Sequence, residues 1–509
     1  MRKYVPFWDT LDLDRRPYWN VLRIFLFRLF MQMVQVHVLH HPDENWQALQ
    51  LAYDIVYGRV SGLARDDPAR AEILLCWEHD SRYALRNSLY PFWLALPARL
   101  LRLLSMDTNF LVVNSMYFMH CIVWSFGDYF YFHLVKLLAG KRCAILTLMA
   151  ALSNQTVNLY LSRTSSNGVE SSLAIAAFYY YHKLERPRVF DADLRKMTFL
   201  ITLSFLIRSS SLAPWIPLAA LKILEDAGNF RPILVAGLTV AIPTMCCSVL
   251  LDSYYYGVLT VPQLNFVYFN VIQNKSKYFG TTPYFTYIHG LRDEFSSTYY
   301  MGLFGLSLLT IQQLQGSLEH YNKARGQLSK IPSIAVFMVA YLVFLSFVGH
   351  KELRFYAPIV LLGCFAQAFA FEQLFHVPAL RRFLKYLLIA LLSLGPAGKM
   401  AKAAYNDSSI QRSMLEPYLI FNDGRFPGLS GNSSAAESPA QVESVYFFDK
   451  FFQPPHLVLH QPSWRAQGNS TGHQTTTLYQ SFGDPIFIND NIPDLSTLKH
   501  PEFPELSYP

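Results

Sequence analysis

The sequence predicts an all-α polytopic membrane protein, and three observations carry that prediction. Hydrophobic residues fill 52% of the 509 positions and charged residues only 16%, against about 25% charge in ordinary soluble chains. The roughly three soluble domains that the length would allow could not be coated with so little charge. Mean hydropathy is +0.18. Apolar runs also recur from Val21 to about Gly395 with only short polar interruptions after Ser88, the pattern of successive bilayer crossings at about 20 residues each. Thirty-nine Phe and 31 Tyr suit many apolar spans with aromatic belts at the interfaces.

The first apolar run, Val21 to about Leu39, is too long for a signal-peptide core and has no small-residue cleavage site, so it reads as a retained span. A polar loop follows from His40 to Ser88. Further spans are expected near 90–105, 109–137, 143–160, 169–182, 196–222, 233–251, 299–314, 331–348, 356–375 and 384–397. Several depart from the ideal length, so some are split, tilted or re-entrant, and the expected count is about 10–12 transmembrane helices. The run 109–160 reads as one crossing or two. Arg2, Lys3, Arg15 and Arg16 precede the first span and a basic segment at 182–188 follows another, so both face the cytosol and loop 40–88 lies on the opposite side. Arg23 and Arg28, inside the first span, read as snorkelling toward the cytosolic headgroups.

The chain divides into a membrane part, 1–400, and a C-terminal region, 401–509, that is soluble in character. Asn-X-Ser/Thr triplets at Asn406, Asn432 and Asn469 are glycan acceptors if that region is lumenal. Short apolar runs at 445–448 and 457–459 predict strands in a small ordered cap.

The net charge of +7 is spread along the chain without a polybasic block, which excludes a nucleic-acid partner. Six cysteines form no CxxC pair and sit mostly in apolar stretches, so they read as small core residues. Neither a disulfide scaffold nor a metal site is expected.

His41-Pro42-Asp43-Glu44 starts a helix: proline at the first helical position is followed by two acids in the first turn. Trp46, Leu49, Tyr53 and Val56 then form one apolar stripe, suited to a helix lying against the membrane surface. Two readings of Asp43 and Glu44 stand at this point. They complement the helix dipole, or one acts as general base toward a hydroxyl, its basicity raised by burial near lipid. A second constellation, Gly349 to Phe355, brings His350, Lys351 and Arg354 to a membrane boundary, with His350 and Arg354 four apart on one helical face. It suits a lipid phosphate, or it is a turn whose charges are solvated or paired with Glu352. Arg163 to Asn167, the isolated Arg208, and Asp128 inside an aromatic run imply a polar chamber at membrane depth. Asp128 is read as half of a structural pair.

These segments, in this order, resemble the GT-C superfamily of polytopic glycosyltransferases that use dolichol-phosphate sugars in the endoplasmic reticulum lumen. More narrowly they are similar to the mannosyltransferase family that contains the GPI-anchor enzymes and the α-1,2 and α-1,6 enzymes of N-glycan assembly. The residues carrying the likeness are His41 to Gln47, Trp77-Glu78, Leu85-Arg86-Asn87-Ser88, Tyr90-Pro91, Ser162 to Asn167 with Glu170, and Pro262 to Phe266. Phe269 to Asn274, Tyr278-Phe279-Gly280 and the His350 to Phe355 turn complete the set. Arg208-Ser209-Ser210 departs from the Arg-Pro-Thr expected there, and the segment after Pro283 lacks a Trp-His-Trp-rich stretch.

The resemblance implies a GT-C fold with an active site on the lumenal side of the endoplasmic reticulum membrane. It implies transfer of the third, α-1,2-linked mannose from dolichol-phosphate-mannose to a GPI lipid precursor, with inversion and no cofactor or metal. Asp43 is the expected base, with Glu44 orienting the acceptor or sharing that role. His350, Lys351 and Arg354, with Arg163 and Arg86, are expected at the donor phosphate. Trp46, Gln47, Trp77, Glu78, Asn270 and Gln273 are expected at the acceptor and sugar. Rival functions are the fourth-mannose GPI enzyme, the N-glycan α-1,2 enzyme and, from another class, a transporter or lipid scramblase, against which no inverted repeat is evident.

Overall fold

The computed structural model describes residues 11–14, 16–35, 45–58, 77–154, 157–158, 163–184, 187–273, 275, 281–295, 299–323 and 332–375, with short strands at 479–480, 485–486, 499–500 and 503–507. The described part is mostly helical. Helix α1 spans Pro17–Gln35. A π-helical turn, Asn45–Leu49, runs into α2, Gln50–Tyr57. A single 3-10 turn, Trp77–His79, precedes α3, Leu89–Leu103. Two tiny antiparallel pairs, Tyr479–Gln480 with Pro485–Ile486 and Lys499–His500 with Phe503–Ser507, are the described strands. The strands expected at 445–448 and 457–459, the span at 384–397 and the acceptors Asn406, Asn432 and Asn469 lie outside the described residues.

Helix α4, Asn109–Ser153, begins at Thr108, whose hydroxyl accepts from the Leu111 amide. Gly140, at φ 85° and ψ 169°, breaks it into two arms. The ambiguous run is therefore two helical arms meeting at a residue that needs no Cβ. Lys136 and Lys141 bracket the break and pair with Asp14 and Asp12 at 2.8 and 2.6 Å, which ties the segment before α1 to the kink.

Helix α5, Ser166–Lys183, is capped by the Ser165 hydroxyl. Helix α6, Ala192–Ile207, is capped by Asp191, which accepts from the amides of Asp193 and Leu194. The expected 196–222 span is thus two helices, α6 and α7 (Trp215–Glu225), separated by a polar 3-10 turn, Ser209–Leu212. Helix α8, Ala227–Tyr256, is long and apolar enough to cross a membrane, and only 11% of its apolar window is buried in protein. It leads to α9, Pro262–Val267, which continues as the π-helical turn Tyr268–Ile272. Helices α10 (Thr286–Phe295), α11 (Tyr299–Lys323), α12 (Ser333–Phe347) and α13 (Ala357–Phe375) follow.

One apolar core runs through α4, α5, α12 and α13. Helix α13 packs on α11, α4 and α5. Its approach to α11 and α10 is close: a Cβ at Gly305 would collide with the Ala366 carbonyl, and one at Gly363 would collide with the Phe295 ring. Tyr131 donates its hydroxyl to the Leu361 carbonyl in the same core.

Among the described residues two helices, Ala227–Tyr256 and Arg354–Phe375, meet the length and apolarity of a membrane span, fewer than the ten to twelve crossings expected. Other helices carry ionisable groups that the fold turns inward. Arg28 corrects the snorkelling expectation. It is fully buried, and its Nε and Nη2 lie 3.0 Å from Oδ2 and Oδ1 of Asp128, while Nη1 donates to Asn158 at 2.8 Å and the guanidinium lies over Trp124. Asp128 is the structural pair that its position suggested. Arg23 stays at the surface and donates to Asn20.

The helix at 50–57 is a second correction. Leu49, Tyr53 and Val56 are buried as a stripe facing an apolar phase requires, but so are Gln50, Leu51, Ala52, Asp54 and Ile55. No face is left for a membrane surface. Arg99 and Arg102 from α3 cover the Ile55 and Val56 carbonyls, and Tyr255 donates to the Asp54 carboxylate at 2.9 Å, so protein groups cover the polar side of this helix.

Candidate active site

Loop residues 78–88 are held from three sides. Gln47 Nε2 donates to Glu78 Oε2 at 3.0 Å, and Glu78 takes Arg86 in a two-point pair, Nη2 to Oε1 at 2.8 Å and Nε to Oε2 at 3.1 Å. From α8, Tyr256 donates to the Arg86 carbonyl at 2.6 Å. Asp252 accepts from the Ser88 amide and hydroxyl, both at 2.7 Å, and from Asn87 at 2.6 Å, which fixes the start of α3. From α9, Asn265 donates to the Tyr83 and Ala84 carbonyls, and Phe266 lies beneath the Arg86 guanidinium at 5.6 Å. The loop that carries Glu78 and Arg86 is therefore built into the helical body.

A second cluster centres on Arg208, the residue that ends α6. Its Nε lies 3.0 Å from Oε2 of the buried Glu170, whose other oxygen accepts from Tyr341 at 2.5 Å. Nη1 donates to Ser166 Oγ at 3.1 Å and Asn167 Oδ1 at 3.3 Å, and the guanidinium lies 5.0 Å from the Phe355 ring centre. Asn167 in turn donates to the Arg354 carbonyl at 3.1 Å. The first turn of α5, the end of α6, α12 and the 350–356 turn meet at this point.

The turn itself shows the pairing with Glu352. Glu352 accepts from His350 on one oxygen at 2.8 Å and forms an ion pair with Arg354 through the other at 2.5 Å. Lys351, buried, donates Nζ to the Val348 carbonyl at 2.7 Å and the Thr282 carbonyl at 3.1 Å, and lies over Tyr284. Burial, which penalises the ammonium, pushes its pKa below the ordinary value of 10.5. Two basic side chains thus share one carboxylate, and the third rests on backbone carbonyls.

Between the clusters lies a cleft whose lining includes Arg86, Arg208, Ser209, Ser210, Gln263 and Phe266. Two guanidiniums, each oriented by its own carboxylate, share this cleft. Its chemistry suits an anion next to an aromatic surface.

Asp43 and Glu44 lie outside the described residues, Trp46 falls in the π-helical turn and Trp77 in the 3-10 turn. Gln47, Glu78 and Arg86 are brought together, as are His350, Lys351 and Arg354. Arg163 is buried with its guanidinium 6.0 Å from the Tyr117 ring centre. Asn270 Nδ2 bonds back to the Phe266 carbonyl of its own helix at 3.0 Å, and Gln273 is exposed. Glu170, Arg208 and Tyr341 were not among the expected site residues. Glu170 and Arg208 had a legible signal, an ionisable residue amid apolar sequence, whereas a tyrosine in an apolar helix gives none.

The model of the Alg9-like mannosyltransferase family matches residues 19–459. The chain belongs to that family. Among its relatives, mannosyltransferase APTG1 of Arabidopsis thaliana is 25% identical over 356 residues, covering 69% of this chain and 59% of the relative. GPI mannosyltransferase 3 of Yarrowia lipolytica is 28% identical over 358 residues, covering 70% and 62%. GPI alpha-1,2-mannosyltransferase 3 of Bos taurus is 28% identical over 246 residues, covering 48% and 42%. The matched region spans less than two thirds of each of these relatives.

Among solved structures, ArnT from Cupriavidus metallidurans bound to undecaprenyl phosphate aligns at TM-score 0.49 and 10% identity, over 87% of this chain and 84% of that one. The archaeal oligosaccharyltransferase AglB from Archaeoglobus fulgidus, in complex with an inhibitory peptide and a dolichol-phosphate, aligns at TM-score 0.46 and 13% identity, over 84% and 61%. As a member of the Alg9-like family, the chain keeps its acid-bearing first loop and its basic turn within the matched region.

Proposed function

We propose that this Alg9-like family member is an inverting mannosyltransferase of GPI-anchor biosynthesis, adding the third mannose in α-1,2 linkage from dolichol-phosphate-mannose in the endoplasmic reticulum lumen. The observation that carries the reading is the connected polar network from the first loop to the basic turn. Gln47, three residues beyond Glu44, holds Glu78; Glu78 holds Arg86; Arg86 shares a cleft with Arg208; and Arg208 is joined through Asn167 to Arg354. The relatives named GPI alpha-1,2-mannosyltransferase 3 support the choice of acceptor.

In this reading the Asp43 carboxylate takes the proton of the acceptor hydroxyl, with Glu44 orienting that hydroxyl. The hydroxyl oxygen forms a bond to the anomeric carbon from the face opposite the phosphate. The bond between the anomeric carbon and the phosphate oxygen breaks, and its electron pair leaves with dolichyl phosphate. Fixed cations lower the barrier by meeting charge that develops on the leaving oxygen, and holding the two substrates in line supplies the orientation term. No step requires a metal.

The test is transfer in membranes containing the full chain, given dolichol-phosphate-mannose and a two-mannose GPI acceptor. Wild type is expected to add one α-1,2-linked mannose, and Asp43→Asn to lower the rate about a hundredfold or more, the scale of a lost general base. Equal rates would remove the base assignment. Transfer only to a three-mannose GPI acceptor or to an N-glycan precursor would reassign the acceptor.

A further inference from the structure

Near its end helix α8 turns a short polar face inward. Ser248, Asp252, Tyr255 and Tyr256 recur at helical spacing and are all buried, while Leu250 and Tyr254 on the other side are 69% and 49% exposed. The polar face grips three consecutive residues of the first loop. Tyr256 donates to the Arg86 carbonyl at 2.6 Å. Asn87 donates its side-chain amide to Ser248 Oγ at 2.7 Å and to Asp252 Oδ2 at 2.6 Å. Ser88 donates both its amide and its hydroxyl to Asp252 Oδ1 at 2.7 Å, and Ser248 completes the set with a 3.3 Å bond to Asp252 Oδ2.

Helix stability alone would favour a different arrangement. Asp252 is fully buried, and among the described residues its partners are all neutral; a carboxylate so enclosed is costly to desolvate. Ser88 stands at the N-cap of α3, where a serine hydroxyl ordinarily accepts from the first turn, yet it makes no cap bond and turns to Asp252 instead. The carboxylate meets four donors with two oxygens, where an amide would offer one oxygen and set its NH2 against that of Asn87. What hangs from the clamped backbone is the Arg86 guanidinium, paired to Glu78 and laid over Phe266 at the cleft. We propose that Asp252 is a positioning residue for transfer: it fixes Asn87 and Ser88, and through them the aim of the Arg86 side chain. The assignment deepens the proposed function and rests on it for the step that Arg86 serves. A misplacement of about 1 Å in a site can cost about a hundredfold in rate, so a loop loosened at this clamp slows transfer with Asp43 and the basic turn unchanged.

The test uses the full chain in lipid nanodiscs and compares Asp252→Asn, the exchange of Asp252→Asn with Asn87→Asp, Arg86→Gln, and Arg86→Gln with Asp252→Asn. Without substrate, deuterium uptake by the backbone of 86–90 is expected to speed up in Asp252→Asn. It returns toward wild type in the exchanged pair, where amide and carboxylate have changed sides and every donor again meets an acceptor. With dolichol-phosphate-mannose and a two-mannose GPI acceptor, Asp252→Asn is expected to lower kcat/KM about tenfold, and the exchanged pair to recover most of that. In the Arg86→Gln background the same Asp252 change is expected to cost about twofold or less, because the group it positions is already gone.

Thermal unfolding of each substrate-free variant separates a displaced loop from lost folding, and Ser88→Ala, which removes one contact of the clamp, carries the same comparisons if Asp252→Asn does not fold. Unchanged exchange or unchanged transfer in the folded variant would overturn the assignment. So would the same tenfold loss in both backgrounds, which would mean that Asp252 acts on something other than Arg86. Deuterium uptake is read without substrate, so a wrong donor or acceptor in the proposed function would leave the placement of the loop decided.

Discussion

Lys351 shows how a single burial reaches function. Its ammonium rests on two backbone carbonyls, and burial holds its pKa below 10.5. The unfolded chain therefore binds the proton more tightly than the folded one, so this residue's contribution to stability rises with pH across the window between its lowered value and 10.5. In the proposed function donor binding runs the other way, since a phosphate held by Lys351 needs the charged form. The Michaelis constant for dolichol-phosphate-mannose is expected to rise with pH at lower alkalinity than an ordinary lysine would give, and Lys351→Arg to flatten that limb in a pH series. At Arg28 the consequence is one of stability. Asp128→Asn leaves a buried guanidinium without its carboxylate and should cost about 3–5 kcal/mol, read as a lower unfolding midpoint. Arg28→Met with Asp128→Leu should recover most of it. That Asp128 has a partner was legible, because an acid amid aromatics needs one. That the partner is Arg28, a hundred residues earlier, was not, because sequence does not say which helices are neighbours.

Among the elements, the sequence places most helices within a few residues, since apolar runs and their caps are local signals: Thr108, Ser165 and Asp191 each stand where a helix starts. What fails is local pattern without tertiary context. The stripe from Leu49 to Val56 is real, yet the opposite face is buried too, by arginines of α3 and by Tyr255. The break in α4 was ambiguous because one glycine, without proline, makes it in Leu138-Ala139-Gly140-Lys141. At φ 85° and ψ 169°, in a region essentially reserved for glycine and with no atom near a prospective Cβ, Gly140→Ala should cost about 1–3 kcal/mol from backbone strain alone. An equal unfolding midpoint for wild type and variant would show that the kink is not required.

For the whole molecule, the order of motifs made the family legible where each motif alone did not, and the match over residues 19–459 agrees with it. The candidate site was half legible. The basic turn and the Glu78–Arg86 loop are each local in sequence, whereas Glu170, Arg208 and Tyr341 meet only through helix packing. The proposed chemistry draws on no metal, so transfer is expected to persist in excess EDTA, and a loss restored by added manganese would call for a different mechanism. The glycine contacts of α13 bear on motion. Gly305 is pressed on the Ala366 carbonyl with no side-chain cushion between the two backbones, and Gly363 takes the Phe295 ring directly against its bare backbone; packing at that distance resists sliding. This flank is expected to act as the fixed post of the bundle, leaving any widening that admits a bulky lipid to the thinly contacted α8 side. Distance distributions between spin labels would register such breathing across α8 and little change between α11 and α13.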